Sequence, residues 1–483
     1  MTHFDPIKNK IFFGNTNKLD AWLSESGGDQ GKVIDKVRLL LKNYLELDNV
    51  SFLFGSGTSI HLGAVAIRNF PIEVENHVIK QKLGSELFTH VKELQFEFKG
   101  DKGDNTTFTN ERGWSFRVEN GIVRDGQSAE IAIEYEKVLN YLIAKDFTLN
   151  ENKKIKRKDK IKKLITAIKE GLFLVCDLEN RETSKVVIDR KKESKFESQK
   201  NQGLLLETQS KYIFHEKFIK AILQRPLNLR RANIFTSNYD LAFEYAFDRL
   251  GVHYIDGFTG FHKRFFKPET FDYDYFYPGS TTSGKVQRIE KVVRYFKLHG
   301  SLSWINSESK DANNLYGIEE KSLPLIESLN KKGEIIIYPS AVKKSYTLDL
   351  PYSELFRQFA STITQSQSIL MTIGYAFADE HFNDIIYQAL SNPTFTLIIV
   401  DFSGTNSEYI RNIKDINDPR IIILEGDFFG DFLTFSDTLI PNFNDTSNND
   451  RIANTLNTVF SMGTNPTHLQ SEEQKDQQSP SNE

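Results

Sequence analysis

The sequence predicts an α/β protein built on a doubly wound parallel sheet, and three observations carry that expectation. Strand-length apolar runs alternate with amphipathic helical patterns, a polar cluster follows each of five such runs, and one long polar stretch interrupts the alternation. Apolar strands separated by helices specify a sheet covered on both faces.

Taken in order, Ile34, Val37, Leu41 and Leu45 recur at helical spacing and lead into the strand Val50-Ser51-Phe52-Leu53-Phe54. Gly55-Ser56-Gly57-Thr58-Ser59 follows as a turn, and the chain is expected to become helical toward Gly63 and Arg68. Residues from about 75 to 225 read as a large helical insertion, with a polar helix over Ser128 to Ala144 and a Gly/Asn/Asp-rich stretch over Lys99 to Asn110. The basic run Lys153 to Lys158 there reads as a solvated helix face.

The α/β pattern resumes with the strand Ala232 to Phe235 and the helix Tyr239 to Leu250. Further strands are expected at Tyr295 to Leu298, Glu334 to Tyr338, Ser368 to Ile373, Phe395 to Val400 and Arg420 to Leu424, with helices over Ser353 to Thr364 and Asp379 to Leu390. Residues 1–462 are therefore read as one domain containing the insertion. Residues 463–483 hold a single aliphatic side chain, Leu469, and are expected to be a disordered tail.

Composition narrows the functional classes. With 61 Lys and Arg against 65 Asp and Glu, a net charge of -4 gives no reason to expect direct nucleic-acid binding. The lone Cys176 forms neither an internal disulfide nor a cysteine zinc site, and no apolar run reaches the ~20 residues of a membrane span. A cytoplasmic protein without a metal or membrane partner is the expectation.

The chemistry-bearing residues follow the strands. The Gly55 to Ser59 loop suits a pyrophosphate, because glycine lets the main chain approach closely; a structural tight turn is the competing reading. Asn238 and Asp240, in Thr236-Ser237-Asn238-Tyr239-Asp240, either line a ligand crevice or cap the next helix. His299, in Leu298-His299-Gly300-Ser301, is either a base or a satisfied structural histidine. Gly374-Tyr375 follows the strand to Ile373, and Asp401 follows the strand to Val400. Asp379, His381 and Asn383 belong to the Gly374-Tyr375 cluster, where Asp379 and His381 either serve the site or are structural, as a helix cap and a first-turn residue.

In this order the pieces resemble the sirtuin family. Gly55 to Ser59 is similar to its phosphate loop, Gly63 to Arg68 to a degraded G-I-P-D-F-R, Thr236 to Asp240 to T-Q-N-I-D, and Leu298 to Ser301 to L-H-G-S. The four-cysteine zinc module of the family's deacylases has no counterpart here. Bacterial sirtuin-like proteins that hydrolyse NAD in anti-phage defence lack that module, carry a helical insertion and show G-Y-x-F-x-D-x-H-x-N. Gly374-Tyr375-Ala376-Phe377-Ala378-Asp379-Glu380-His381-Phe382-Asn383 matches that segment.

The resemblance implies a Rossmann-like core that takes NAD as substrate and releases nicotinamide and ADP-ribose. It implies Asn238 and His299 as the catalytic pair. Gly55, Gly57, Thr58, Ser59, Arg68, Asp240, Gly374 and Tyr375 would bind NAD, with Asp401 at the adenosine end or acting as a cap. A sensor without turnover and a zinc-free deacylase or ADP-ribosyltransferase are the alternatives. Gating by homo-oligomerisation, by a partner ATPase or by a phage-derived activator is expected, with the insertion as the contact surface.

Overall fold

Nine strands form the central sheet of the computed structural model, which describes residues 3–64, 70–93, 98–99, 107–110, 115–119, 122–125, 135–151, 155–179, 210–277, 287–307, 314–334 and 351–441. In chain order they are β1 Lys10–Phe13, β2 Thr16–Asn17, β3 Asn49–Phe54, β4 Asn233–Thr236, β5 His253–Ile255, β6 Val292–Lys297, β7 Ser368–Ile373, β8 Thr396–Asp401 and β9 Ile421–Glu425. Across the sheet they run β2-β1-β9-β8-β7-β3-β4-β6-β5. All pairs from β9 to β5 are parallel, while β1 is antiparallel to β9 and β2 to β1. The doubly wound expectation holds, with an antiparallel hairpin on one edge.

Side chains explain the layering. Every residue of β7 and β9 is buried, as a sheet covered on both faces requires. Six helices flank it: α1 Gln30–Leu45, α2 Ile213–Leu223, α3 Ala242–Leu250, α4 Tyr352–Ile363, α5 Glu380–Leu390 and α6 Glu408–Asp415. On one face Phe218 of α2 packs edge-on against Phe52 and Phe54 of β3, both at 5.0 Å, and Phe243 of α3 lies 4.6 Å from Phe54. On the other, Phe359 of α4 meets Phe235 at 5.0 Å, and Phe235 stacks on Phe296 at 4.5 Å. Strand alternation puts Phe52 and Phe54 on the first face and leaves Leu53 in the cluster on the second.

Strand order marks the place where sheets of this kind bind ligands. From β3 the chain moves through β4 to β6 on one side, then returns to build β7, β8 and β9 on the other. The connections therefore part between β3 and β7, the switch point at which open α/β sheets leave room for a ligand.

The insertion differs from its helical expectation. Its described residues form helices at Phe70–Lys80, Gly84–Glu93, Tyr135–Glu151 and Ile155–Cys176, but also a four-stranded antiparallel sheet over Phe98–Lys99, Thr107–Asn110, Ser115–Glu119 and Ile122–Asp125. The alternation Phe116-Arg117-Val118-Glu119 carries the strand signal beside a stretch rich in glycine. The expected limit near 225 also takes in α2, which covers the core sheet. A further sheet, Phe258–Thr259, Arg264–Phe266, Ile318–Glu320 and Trp304–Asn306, lies downstream. Phe173, near the end of the helix Ile155–Cys176, shares an apolar cluster with Leu302, Ile305, Leu323 and Ile326, against which Tyr239 and Leu241 pack. Arg68, most of the expected strand Glu334 to Tyr338 and the tail 463–483 lie outside the described residues.

Candidate active site

The glycine loop is held by backbone packing. Gly55 N donates to Ile373 O at 3.1 Å and Gly57 N to Gly374 O at 3.0 Å. A Cβ on Gly55 would lie 2.5 Å from Gly374 O, and one on Gly57 would lie 2.8 Å from Gly374 Cα. Gly374 itself has φ +60°, and its own Cβ would meet Gly57 Cα at 2.9 Å. The loops after β3 and β7 thus touch main chain to main chain at the switch point. In this form the three glycines serve each other, where the sequence alone suggested close approach to a pyrophosphate. The expected helix after the loop is instead two 3₁₀ turns, Ser56–Thr58 and Ile60–Leu62, ending at Gly63 with φ +95°.

Asn238 leaves β4 and reaches back to that loop. Its Nδ2 donates to Gly55 O at 3.1 Å and lies 3.4 Å from Thr58 Oγ1 and 3.3 Å from Ser59 Oγ. Asp240 Oδ1 accepts from Ala242 N at 3.1 Å in a local turn one residue ahead of the helix cap Leu241, which makes no side-chain cap bond of its own. Burial raises the Asp240 carboxyl, opposed by the nearby Lys297 charge and by hydrogen bonds from Ala242 and Ser59.

Lys297, at the end of β6, lies beneath this loop and was missed by the sequence reading. Its Nζ donates to Tyr239 O at 3.2 Å, to Asp240 O, and to Glu244 Oε1 at 2.8 Å. Tyr295 OH completes the group, donating to Glu244 Oε2 at 3.0 Å. The available signal was a lysine closing an otherwise apolar run.

His299 is 6% exposed. The turn that presents it ends on Gly300, at φ +86°, where Gly300 N donates to Lys297 O. His299 Nε2 lies 3.0 Å from Asp379 Oδ2. The ring stacks on Phe382 at 5.0 Å, with Tyr239 6.3 Å away. Asp379 Oδ1 accepts from His381 N at 3.2 Å, so the expected cap of α5 is present as well. The His381 ring lies 6.5 Å from Phe356 in a T-shaped arrangement. Tyr375 is buried, with its OH 3.5 Å from Asp379 O. Burial first, then the Asp379 charge, drives its phenol well above the usual range.

Behind the histidine turn runs a second polar chain that the sequence reading also missed. Ser301 Oγ and Ser303 Oγ are 2.9 Å apart, Ser303 Oγ donates to Glu320 Oε1 at 3.1 Å, and Arg264 binds both Glu320 and Asp256. Burial and the neighbouring Asp256 charge push Glu320 up to about 8.

Asp401 is the outlier of the expected set. Its Oδ1 accepts from Ser403 N at 2.9 Å and Gly404 N at 2.7 Å, which makes it the cap of the turn after β8. Of its two expected roles, that cap is the one the geometry contains. Gly55, Gly57, Thr58, Ser59, Asn238, Asp240, His299, Gly374 and Tyr375 all lie in the loops after β3, β4, β6 and β7. Among the described residues, no group of three or more His, Cys, Asp or Glu side chains is placed to hold a metal. No helix of them is long and apolar enough to cross a membrane.

Residues 232–416 match the family model of the SIR2-like domain. That stretch includes the loops bearing Asn238, His299, Gly374 and Asp379, while the glycine loop precedes it. No curated protein matches the chain. The doubly wound sheet is consistent with the Rossmann-like core of that family, and the matched stretch suggests NAD-related activity.

Proposed function

We propose that the protein is an NAD glycohydrolase that releases nicotinamide and ADP-ribose. One observation supports this above the others: Asn238 and His299 come from separate strands to the crevice edge at which the glycine loop also ends. Cleaving the N-glycosidic bond builds oxocarbenium-like charge on the ribose, and nicotinamide leaves as a neutral ring without needing a proton. The protein's task is to orient a water and the ribose. His299 is the proposed base for that water, Asn238 the positioner, and Asp240 a steadying group for the loop.

We extend this reading to an effector of anti-phage defence that depletes NAD in the cytoplasm, on the resemblance of the segment Gly374 to Asn383 to that of bacterial sirtuin-like NAD hydrolases. A constitutive hydrolase would starve its own host, so activity is expected to await self-association or a partner, with the insertion as the largest surface for either. A sensor that binds NAD or ADP-ribose without turnover is favoured by one feature, the engagement of the Asn238 amide with Gly55 O. Incubating the purified protein with NAD and following nicotinamide by chromatography decides between them. Release above a buffer control is expected. None, with the protein alone and with its operon neighbours, would overturn the proposal.

A further inference from the structure

We propose that Lys297 is the positioning residue of the turn that carries Asn238, fixing that turn to the end of β6 from which His299 emerges. The inference rests on the hydrolase reading for its kinetic consequence, and on hydrogen bonds alone for its structural one. Lys297 is 3% exposed and is the register partner of Thr236, so β4 and β6 end on the same rung of the sheet. Tyr295 and Lys297, two residues apart on one strand, face the same side. Glu244 of α3 receives both there, Tyr295 OH at 3.0 Å and Lys297 Nζ at 2.8 Å. The other bonds of the ammonium go to Tyr239 O at 3.2 Å and to Asp240 O. An ammonium has three donors, so one meets the carboxylate and two meet the turn.

Charge balance requires only the first of these bonds. Glu244 alone neutralises the buried lysine, and the two carbonyl bonds go beyond it. Two successive carbonyls that converge on one Nζ fix the peptide planes directly after Asn238, whose side chain must be aimed from that backbone to meet Gly55 O. Tyr239 O also accepts from Leu302 N at 3.1 Å, beyond the histidine, while the carbonyl of Lys297 itself accepts from Gly300 N at 3.1 Å. One residue thus closes the His299 turn with its main chain and the Asn238 turn with its side chain.

Lys297→Met keeps the reach of the side chain and removes every donor. It should lower kcat for NAD at least ~30-fold with KM within about threefold, because a misplaced catalytic group costs rate rather than binding. In an Asn238→Ala background the same substitution should cost no more than about threefold, since the group it positions is already gone. Lys297→Met combined with Glu244→Gln leaves no unpaired carboxylate, keeps an acceptor for Tyr295 OH, and serves if the single variant does not fold. It is expected to regain thermal stability while kcat stays low. Hydrogen exchange read by mass spectrometry needs no turnover, and it should quicken in peptides spanning residues 237–242 and 299–303 while β7 stays as protected as in the wild type. Wild-type kcat in a folded variant, its full restoration by Glu244→Gln, or equal losses with and without Asn238 would overturn the assignment. If the wild type releases no nicotinamide, the hydrolase reading fails and exchange alone decides. Unchanged protection of the two turns, or a loss spread evenly over the sheet, would then remove Lys297 from this role.

Discussion

One buried histidine, His299, and one buried pair, His61 and His215, have contrasting surroundings. His299 has a carboxylate 3.0 Å from one nitrogen and sits on the crevice edge. His61, just past the glycine loop, stacks on His215 of α2 at 5.4 Å, walled by Phe214, Phe243 and Phe432. Burial lowers His61 to about 4, against the pull of Asp431 and the Thr58 backbone. It drives His215 well below its usual value, and His61 adds to that shift. Burial beside a charge equips a histidine for proton transfer, whereas burial among phenyl rings holds it neutral and makes it a packing residue.

The sharpest test of the contrast is activity. His299→Ala and Asn238→Ala should each reduce nicotinamide release at least ~100-fold, whereas His215→Phe should leave it within about threefold. Equal losses from His299 and His215 variants with intact circular dichroism would erase the distinction.

Acid should strike the other pair. A histidine whose pKa is depressed in the fold binds more protons when unfolded, so its contribution falls as pH drops below about 6.5. For His61 the window runs from about 6.5 down to about 4, and the loss across it is ~3 kcal/mol. Urea unfolding at pH 7 and pH 5 is expected to show lower stability at pH 5, and His215→Phe should flatten that dependence. A pH-independent wild type would show that the pair is solvated.

Gly374→Ala comes next, with an expected cost of about 1–3 kcal/mol, because it sets a Cβ against Gly57 Cα at a positive φ. Wild-type thermal stability in that variant would mean that the two loops part readily. The smallest effect is expected for Asp401→Asn, which retains a capping oxygen. A KM for NAD within about threefold of wild type is expected, and a tenfold rise would return Asp401 to the adenosine end.

The strands and the loops that end them were legible because apolar runs followed by polar clusters report both the sheet and the edge at which its polar residues gather. Asn238 and His299 were found that way. The reason for the glycines was not legible, since Gly55, Gly57 and Gly374 are explained by a contact between segments over 300 residues apart. The Asp379 to His299 contact was hidden similarly: locally Asp379 has every mark of a helix cap, and it is one. Lys297 vanished into its strand because a single charge in an apolar run carries no statement of its partner, and Glu320 was lost among the charges Glu319 and Lys321 beside it. The helix α2 was lost to the insertion because composition changes gradually there, while the packing of Phe218 on Phe52 and Phe54 does not.

The apolar cluster at the end of the helix Ile155–Cys176 has a use in engineering. Phe173 shares it with Leu302, and Tyr239 and Leu241 close it, so the insertion is anchored on the very turns that carry Asn238 and His299. A chimera that replaces the outer part of the insertion with a chosen binding module, while keeping this last turn, would couple that module to the crevice through a joint already present. Truncation that removes Phe173 would instead leave both turns without their backing.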